Sequence, residues 1–257
     1  MTTRENILTL LEGMHPIDLS EMKGIKLMNR IDTKYLATEG DVVHILGMAQ
    51  ADYRVQAVEG ARSGSYDTIY YDTGDLDMYV RHHNRKLRRQ KIRTRTYVDS
   101  GLAFLEIKNK NNRGRTKKVR TRIGVEDFRD FMGNPSAVDF IYNESSYPLT
   151  RISPHVRTGF SRITLVNNRK TERLTIDLDL SFENLRTGER AALPGIAIIE
   201  LKQDGLCYSE MKDILLELRI QKKKVSKYCI GTVLTNQQVK SNRFKEKISD
   251  IKKLITE

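Results

Sequence analysis

The chain has 257 residues, a formal net charge of +12 and a pI near 9.6. With 39% hydrophobic residues it can bury a core, which excludes a disordered chain. No run reaches the apolar length of a membrane helix, two cysteines supply no disulfide framework, and the cation excess calls for a polyanionic partner. The opening MTTRENILTLLEG is amphipathic and partly acidic, unlike a signal peptide, so a cytoplasmic location is expected.

In chain order, residues 4–11 predict a short helix with Ile7, Leu8, Leu10 and Leu11 as its stripe. Residues 25–36 read as a strand with Arg30, Asp32 and Lys34 on one face. Thr38 then caps a helix to about Gln50, with Asp41 closing a loose capping box. Residues 53–58 and 65–72 are aromatic and β-branched strand runs, and residues 75–84 have helical spacing. A short helix is expected at 125–132 and a loop at 133–147. Strands follow at 154–166 and 172–182, the second with Leu174, Ile176, Leu178 and Leu180 opposite Arg173, Thr175, Asp177 and Asp179. Another strand, IAIIELK, places Glu200 and Lys202 on one face. A helix over 208–224 and a charged helix over 232–256 complete the list. No repeat and no low-complexity linker divides the chain, so one α+β domain spanning 1–257 is expected, with 232–257 as its C-terminal helix.

The stretch from Lys86 to Arg122 stands apart. Strand alternation puts Arg89, Lys91, Arg93 and Arg95 on one face, Glu106, Lys108 and Lys110 on the next strand, and Lys118, Arg120 and Arg122 on the third. Rows of like charge side by side destabilise a sheet, so an anion lying across them would relieve the repulsion. A solvated outer face is the plain alternative, and it explains the density and single sign less well. About eight mostly antiparallel strands with this pattern fit either an open sheet or a closed barrel with its charged face inward. Closure removes exposed edges, but periodicity does not separate the two.

An ordered series of short motifs carries a family resemblance. It runs Arg30-Ile-Asp-Thr-Lys34-Tyr35, Tyr70-Tyr-Asp-Thr73, Lys91-Ile-Arg93-Thr-Arg95 with Tyr97, and Leu105-Glu106-Ile-Lys108. Lys117-Lys-Val-Arg120-Thr-Arg122 and Arg157-Thr-Gly-Phe160 come next. Arg173-Leu-Thr-Ile-Asp177, Ile199-Glu200-Leu-Lys202 and Ser226-Lys227-Tyr228 complete it. Together these resemble the catalytic domain of the vacuolar transporter chaperone (VTC) polyphosphate polymerases, among the triphosphate tunnel metalloenzymes. The chain departs from the pattern at His155, where tyrosine is common, and at Arg120, often lysine.

The resemblance implies a closed, eight-stranded antiparallel tunnel with helices packed outside. It implies transfer of the γ-phosphate of ATP to a growing polyphosphate chain. Lys34, Arg93, Arg95, Lys108, Arg120, Arg157, Arg173 and Lys227 would be the catalytic phosphate-binding cations, with Lys118, Arg122 and Lys202 as further binding residues. Glu200 would hold a divalent metal, manganese or magnesium. ATP and inorganic polyphosphate or pyrophosphate would be the partners, and nucleic acid is not expected because no stacking-aromatic module is present. Neither an SPX domain nor a membrane anchor is expected, as in the stand-alone bacterial forms that the chain resembles. Two other classes remain open: a tunnel-fold tripolyphosphatase or nucleoside triphosphatase, and a non-catalytic polyanion-binding module.

The remaining polar residues have simpler readings. Glu106 is expected to balance Lys108, and Asp177 and Asp179 to anchor neighbouring cations. His82 and His83 read as surface residues, and Cys207 and Cys229 as packing residues.

Overall fold

The computed structural model describes residues 1–25, 30–113 and 115–256. The elements in chain order are α1 (Thr3–Gly13), β1 (Pro16–Ile17), α2 (Leu19–Lys23), β2 (Arg30–Thr38), α3 (Glu39–Ala49), β3 (Tyr53–Gln56), β4 (Gly64–Thr73) and α4 (Asp77–His83). Then come β5 (Arg89–Tyr97), β6 (Leu102–Lys110), β7 (Thr116–Ile123), α5 (Pro135–Glu144), β8 (Ile152–Asn167) and β9 (Glu172–Asn184). The chain ends with β10 (Arg190–Leu193), β11 (Ile196–Asp204), α6 (Glu210–Glu217), α7 (Lys227–Leu234) and α8 (Lys245–Thr256). Part of the strand expected at 25–36 falls on 26–29, outside the described residues.

The fold is α+β, built on one large sheet in the order β2-β11-β9-β8-β4-β5-β6-β7, with every pair along that path antiparallel. Among the described residues β2 and β7 do not pair with each other, so the expected closed barrel is not formed. The physical reason lies at the β2 edge. Lys223 N donates to Lys34 O at 2.8 Å and Lys222 bridges Tyr35, so an irregular segment takes the hydrogen bonds that β7 would need for closure.

The outer face carries two apolar layers. One packs α1, α3 and α6 against β2, β8, β9 and β11, through Ile7, Ile45, Leu46, Met211 and Leu215. The other covers β4 to β6 with Phe128, Phe131, Ala137 and Ile141. The Thr38/Asp41 capping box starts α3 as expected.

Several elements differ from their sequence reading. Residues 125–132 form only a short 3-10 turn at Glu126–Phe128, whereas the expected loop holds α5. Asn134 accepts a bond from Ala137 N with Pro135 in the first turn, a start signal that the Asn-Pro-Ser composition concealed. The long C-terminal helix is two helices, α7 and α8, and the helix over 208–224 ends at Glu217.

Helices lie on both faces, not only outside. At one end of the charged face, Leu36, Ile196 and Ile198 pack with Phe160, Ile230 of α7 and Ile251 of α8. Tyr228 of α7 stacks on Tyr70 at 5.0 Å, and Tyr70 is the cross-strand partner of Arg93. A Cβ on Gly231 would sit 2.6 Å from Phe182 and 3.0 Å from Val156, so α7 is seated on the same side as the cations. No helix among the described residues is long and apolar enough to cross a membrane.

Candidate functional site

Cross-strand registers align the basic rows as the alternation predicts. Lys91 faces Lys108, which faces Lys118, while Arg93 faces Glu106, which faces Arg120. Tyr70, Lys91, Arg93, Glu106, Lys108 and Lys118 line one cavity. From the other side β11 and β2 contribute Glu200 opposite Lys34, and Lys202 opposite Arg173 on β9. Burial disfavours the Lys108 charge, Glu200 favours it, and Lys91 and Arg93 oppose it, so β6 and β11 act on a shared space.

Beside Asp32, which lies opposite Lys202 and pairs with Arg30 at 2.7 Å, three further carboxylates on this face are each held among cations. Glu106, only 1% exposed, accepts from Arg93 Nε at 2.7 Å through Oε2 and pairs with Lys118 through Oε1. Asp177 receives a forked contact from Arg162, Nε at 2.5 Å and Nη2 at 2.8 Å, and also pairs with Lys227. Lys34 and Lys202 make their closest approaches to one oxygen of Glu200, Oε2, at 3.3 and 3.6 Å. Burial alone would raise these carboxyls. The surrounding charges outweigh it and hold all three well below the usual carboxylate range: Arg93, Arg95 and Lys118 at Glu106, Arg162 and Lys227 at Asp177, and Lys202 and Lys34 at Glu200.

The cations outnumber these acids. Arg95 is buried between Tyr66 and Phe160, at 5.5 and 5.7 Å from their rings, and donates to Thr68 at 3.1 Å without a carboxylate partner among the described residues. Burial, then Arg93 and Arg162, lowers its pKa to about 10. Lys91 is bonded to Ser226 Oγ at 2.9 Å, and burial lowers its pKa too. Arg173 Nε is buried without a hydrogen-bond partner, and burial followed by Arg30 and Arg162 depresses its charge. Burial is also the main cause that brings Lys202 and Lys227 down to about 8, with Glu200 and Asp177 opposing it. Tyr70 accepts from Arg93 Nη1 at 3.3 Å. Its burial is overcome by Arg93, Lys91, Arg95 and Lys227, which lower its pKa to about 8.

Of the residues expected from sequence, Lys34, Arg93, Arg95, Lys108, Lys118, Arg173, Lys202, Lys227 and Glu200 lie on this face. Arg120 and Arg122 share it by alternation but are exposed on the edge strand, with Arg120 over the Phe104 ring at 4.6 Å. Arg157 does not join them. It is the cross-strand partner of Ile69, a residue of the outer core, and its guanidinium pairs with Asp67 at 2.5 Å and Glu183 at 3.6 Å. Arg162, opposite Asp177, reaches the cationic face instead. Glu106 balances Arg93 and Lys118, not Lys108. Asp179 sits in a left-handed bulge (φ 55°) and pairs outside with Arg4, whereas Asp177 anchors its neighbours as expected. His83 is buried rather than superficial, and Cys229 is a buried packing residue. Sequence reasoning missed Arg162, Lys91 and Tyr70. For Lys91 the signal was present, since it shares the face of Arg93 and Arg95.

The model of the VTC domain matches residues 29–236. The chain belongs to the VTC family. No curated protein matches it by sequence. By structure this VTC domain is similar to the PH1819 protein from Pyrococcus horikoshii OT3, at 13% identity over 80% of this chain and 98% of that one, with a TM-score of 0.44. It is also similar to HpAC1 from Hippeastrum, described as a putative adenylyl cyclase with a dominant triphosphatase activity. That match has 13% identity over 79% and 95% of the chains, and a TM-score of 0.48.

The sequence resemblance implies a divalent metal, and the donor set bears on how one would be held. No group of three or more His, Cys, Asp or Glu side chains suited to a metal occurs among the described residues. Glu106 and Asp177 have both oxygens engaged by cations, whereas both lysines at Glu200 approach Oε2. One carboxylate completed by phosphate oxygens and water is a set that magnesium or manganese accepts. Of the three, Glu200 is therefore the carboxylate that fits such a metal.

Proposed function

We propose that this VTC domain is a polyphosphate polymerase that transfers the γ-phosphoryl group of ATP to the end of an inorganic polyphosphate chain. The observation that carries the reading is the surplus of desolvated cations, Arg95, Lys91 and Arg173, on one face of the sheet with no ion-paired carboxylate of their own among the described residues. A buried charge left unpaired is costly, and a phosphate chain repays that cost at several places at once. Membership in the VTC family supports the same substrate class.

Arg93 and Arg95 would grip equatorial phosphate oxygens with forked donors, and Lys34, Lys108 and Lys227 would act as point charges. A terminal phosphate oxygen of the acceptor chain is already ionised, so the reaction needs no general base. That oxygen forms a bond to the γ-phosphorus while the bond to the β–γ bridging oxygen breaks, and ADP leaves. The residues therefore contribute position and charge stabilisation. Glu200 and the phosphate oxygens would hold the divalent metal, which when bound neutralises charge on those oxygens.

Purified protein incubated with ATP and manganese should yield long polyphosphate on a gel without any partner protein. Release of free phosphate alone would assign a tunnel hydrolase, and no nucleotide turnover would leave a binding module.

A further inference from the structure

The row of cations continues beyond the residues placed in the site. Arg89 and Lys110 are cross-strand partners at the end of β5 and β6, and alternation puts them on the face of Lys91 and Lys108. Two like charges set opposite each other weaken a strand pair. Neither makes an ion pair among the described residues, and Arg89 Nη1 donates only to Lys86 O at 2.9 Å.

Two further elements bring cations to the same end. Lys247 of α8 lies 5.3 Å from the Phe244 ring, which packs at 6.5 Å on His82 and 5.6 Å on His83, the last turn of α4 before β5. Lys222 and Lys223 are fastened along the β2 edge, which carries Lys224 to the open seam. Lys223 is neutralised by Glu246 at 3.2 Å and Asp250 at 2.5 Å, while Lys224 and Lys247 have no acid within ion-pair distance among the described residues. Electrostatics tie these groups together. After burial, the Lys110 charge is opposed most by Arg89 and Lys224. His82, whose Nδ1 is buried without a partner, is kept neutral by burial and then by Lys91, Arg89, Lys247 and Lys110. Lys247 lies beyond the matched residues 29–236, so the family likeness does not account for it.

We infer that Arg89, Lys110, Lys224 and Lys247 form an outer site that holds the stretch of an inorganic polyphosphate chain extending past Lys91. This rests on the phosphate-chain reading of the inner site. From Arg95 to Arg89 the row covers about 20 Å at roughly 3.3 Å per strand residue, more than the three phosphates of a nucleotide span. The outer site would thus favour long chains over short ones and keep a growing product attached.

The test is calorimetric titration of the whole chain and of a Lys110→Gln/Lys247→Gln double variant, with tripolyphosphate and with long-chain polyphosphate. Arg129→Gln/Lys170→Gln, on exposed residues elsewhere, removes the same charge as a control. Losing two phosphate contacts should weaken long-chain binding about tenfold and flatten its salt dependence, while tripolyphosphate binding stays within about twofold. Equal losses for both ligands, or the same loss in the control, would reduce the effect to diffuse attraction and overturn the site. A wild-type protein that binds tripolyphosphate without preferring the long chain would overturn the outer site and leave the inner one standing. Wild-type protein that binds neither ligand would refute both readings. A single-stranded oligodeoxynucleotide of equal charge that displaces long-chain polyphosphate one for one would also overturn the phosphate-chain assignment.

Discussion

Two arginines two residues apart on β5 have the same sign and face but different environments. Arg93 is bonded to Glu106, a carboxylate 1% exposed, whereas Arg95 has two aromatic faces and a hydroxyl. Arg93→Met would leave Glu106 with Lys118 alone and should destabilise the ligand-free protein by about 1–3 kcal/mol. Arg95→Met removes a desolvated charge that has no acid partner, so stability should hold or rise, because an apolar side chain suits that ring-lined slot. Both variants should lose tripolyphosphate binding. Chemical denaturation without ligand separates them. A loss at Arg95→Met as large as at Arg93→Met would make Arg95 a structural residue instead.

At the scale of elements, α7 has the largest influence on the site. Its N-cap Ser226 and its first residue Lys227 reach Lys91 and Asp177, and its depth is set by Gly231 against Phe182 and Val156. A methyl group there cannot be accommodated by a flexible chain end, since the Phe182 ring is packed within a buried cluster. Gly231→Ala should cost about 1–3 kcal/mol by overpacking, and it should weaken tripolyphosphate binding by lifting Lys227 from its place. Thermal melting and titration of the same variant test this. An unchanged melting temperature would mean that α7 is not seated against that ring. The short strands illustrate the opposite dependence. β5 to β7 follow from alternation alone, whereas α5 was hidden because an Asn cap and a first-turn Pro resemble loop composition.

For the whole molecule the surplus positive charge sets stability against binding. Lys202 and Lys227 sit near 8 in the fold against an ordinary 10.5, and Tyr70 sits near 8 against 10. All three are lowered by folding, so between about pH 8 and pH 10 the unfolded chain binds more protons than the native one, and native stability rises with pH. Over the same window the two lysines lose charge and Tyr70 becomes anionic, so affinity for phosphate chains falls. Ligand-free melting temperature and tripolyphosphate affinity should therefore move in opposite directions as pH increases through this range. A parallel decline of both would show that these groups are charged alike in the folded and unfolded chain.

The sequence by itself determined the alternating cationic strands, the α+β class and the VTC family, because a period of two residues and an ordered set of motifs are local properties. It did not determine which face of a strand turns inward. β8 carries Arg157 on one face and Arg162 on the other, and only the pairing of Phe160 with Tyr66 and of Arg162 with Asp177 chooses between them. Closure was equally out of reach, since it depends on the residues at 222–223 competing for the β2 edge from far along the chain. The position of α7 on the charged face is also a tertiary matter: its amphipathic pattern fits either side, and the space left by Gly231 decides between them.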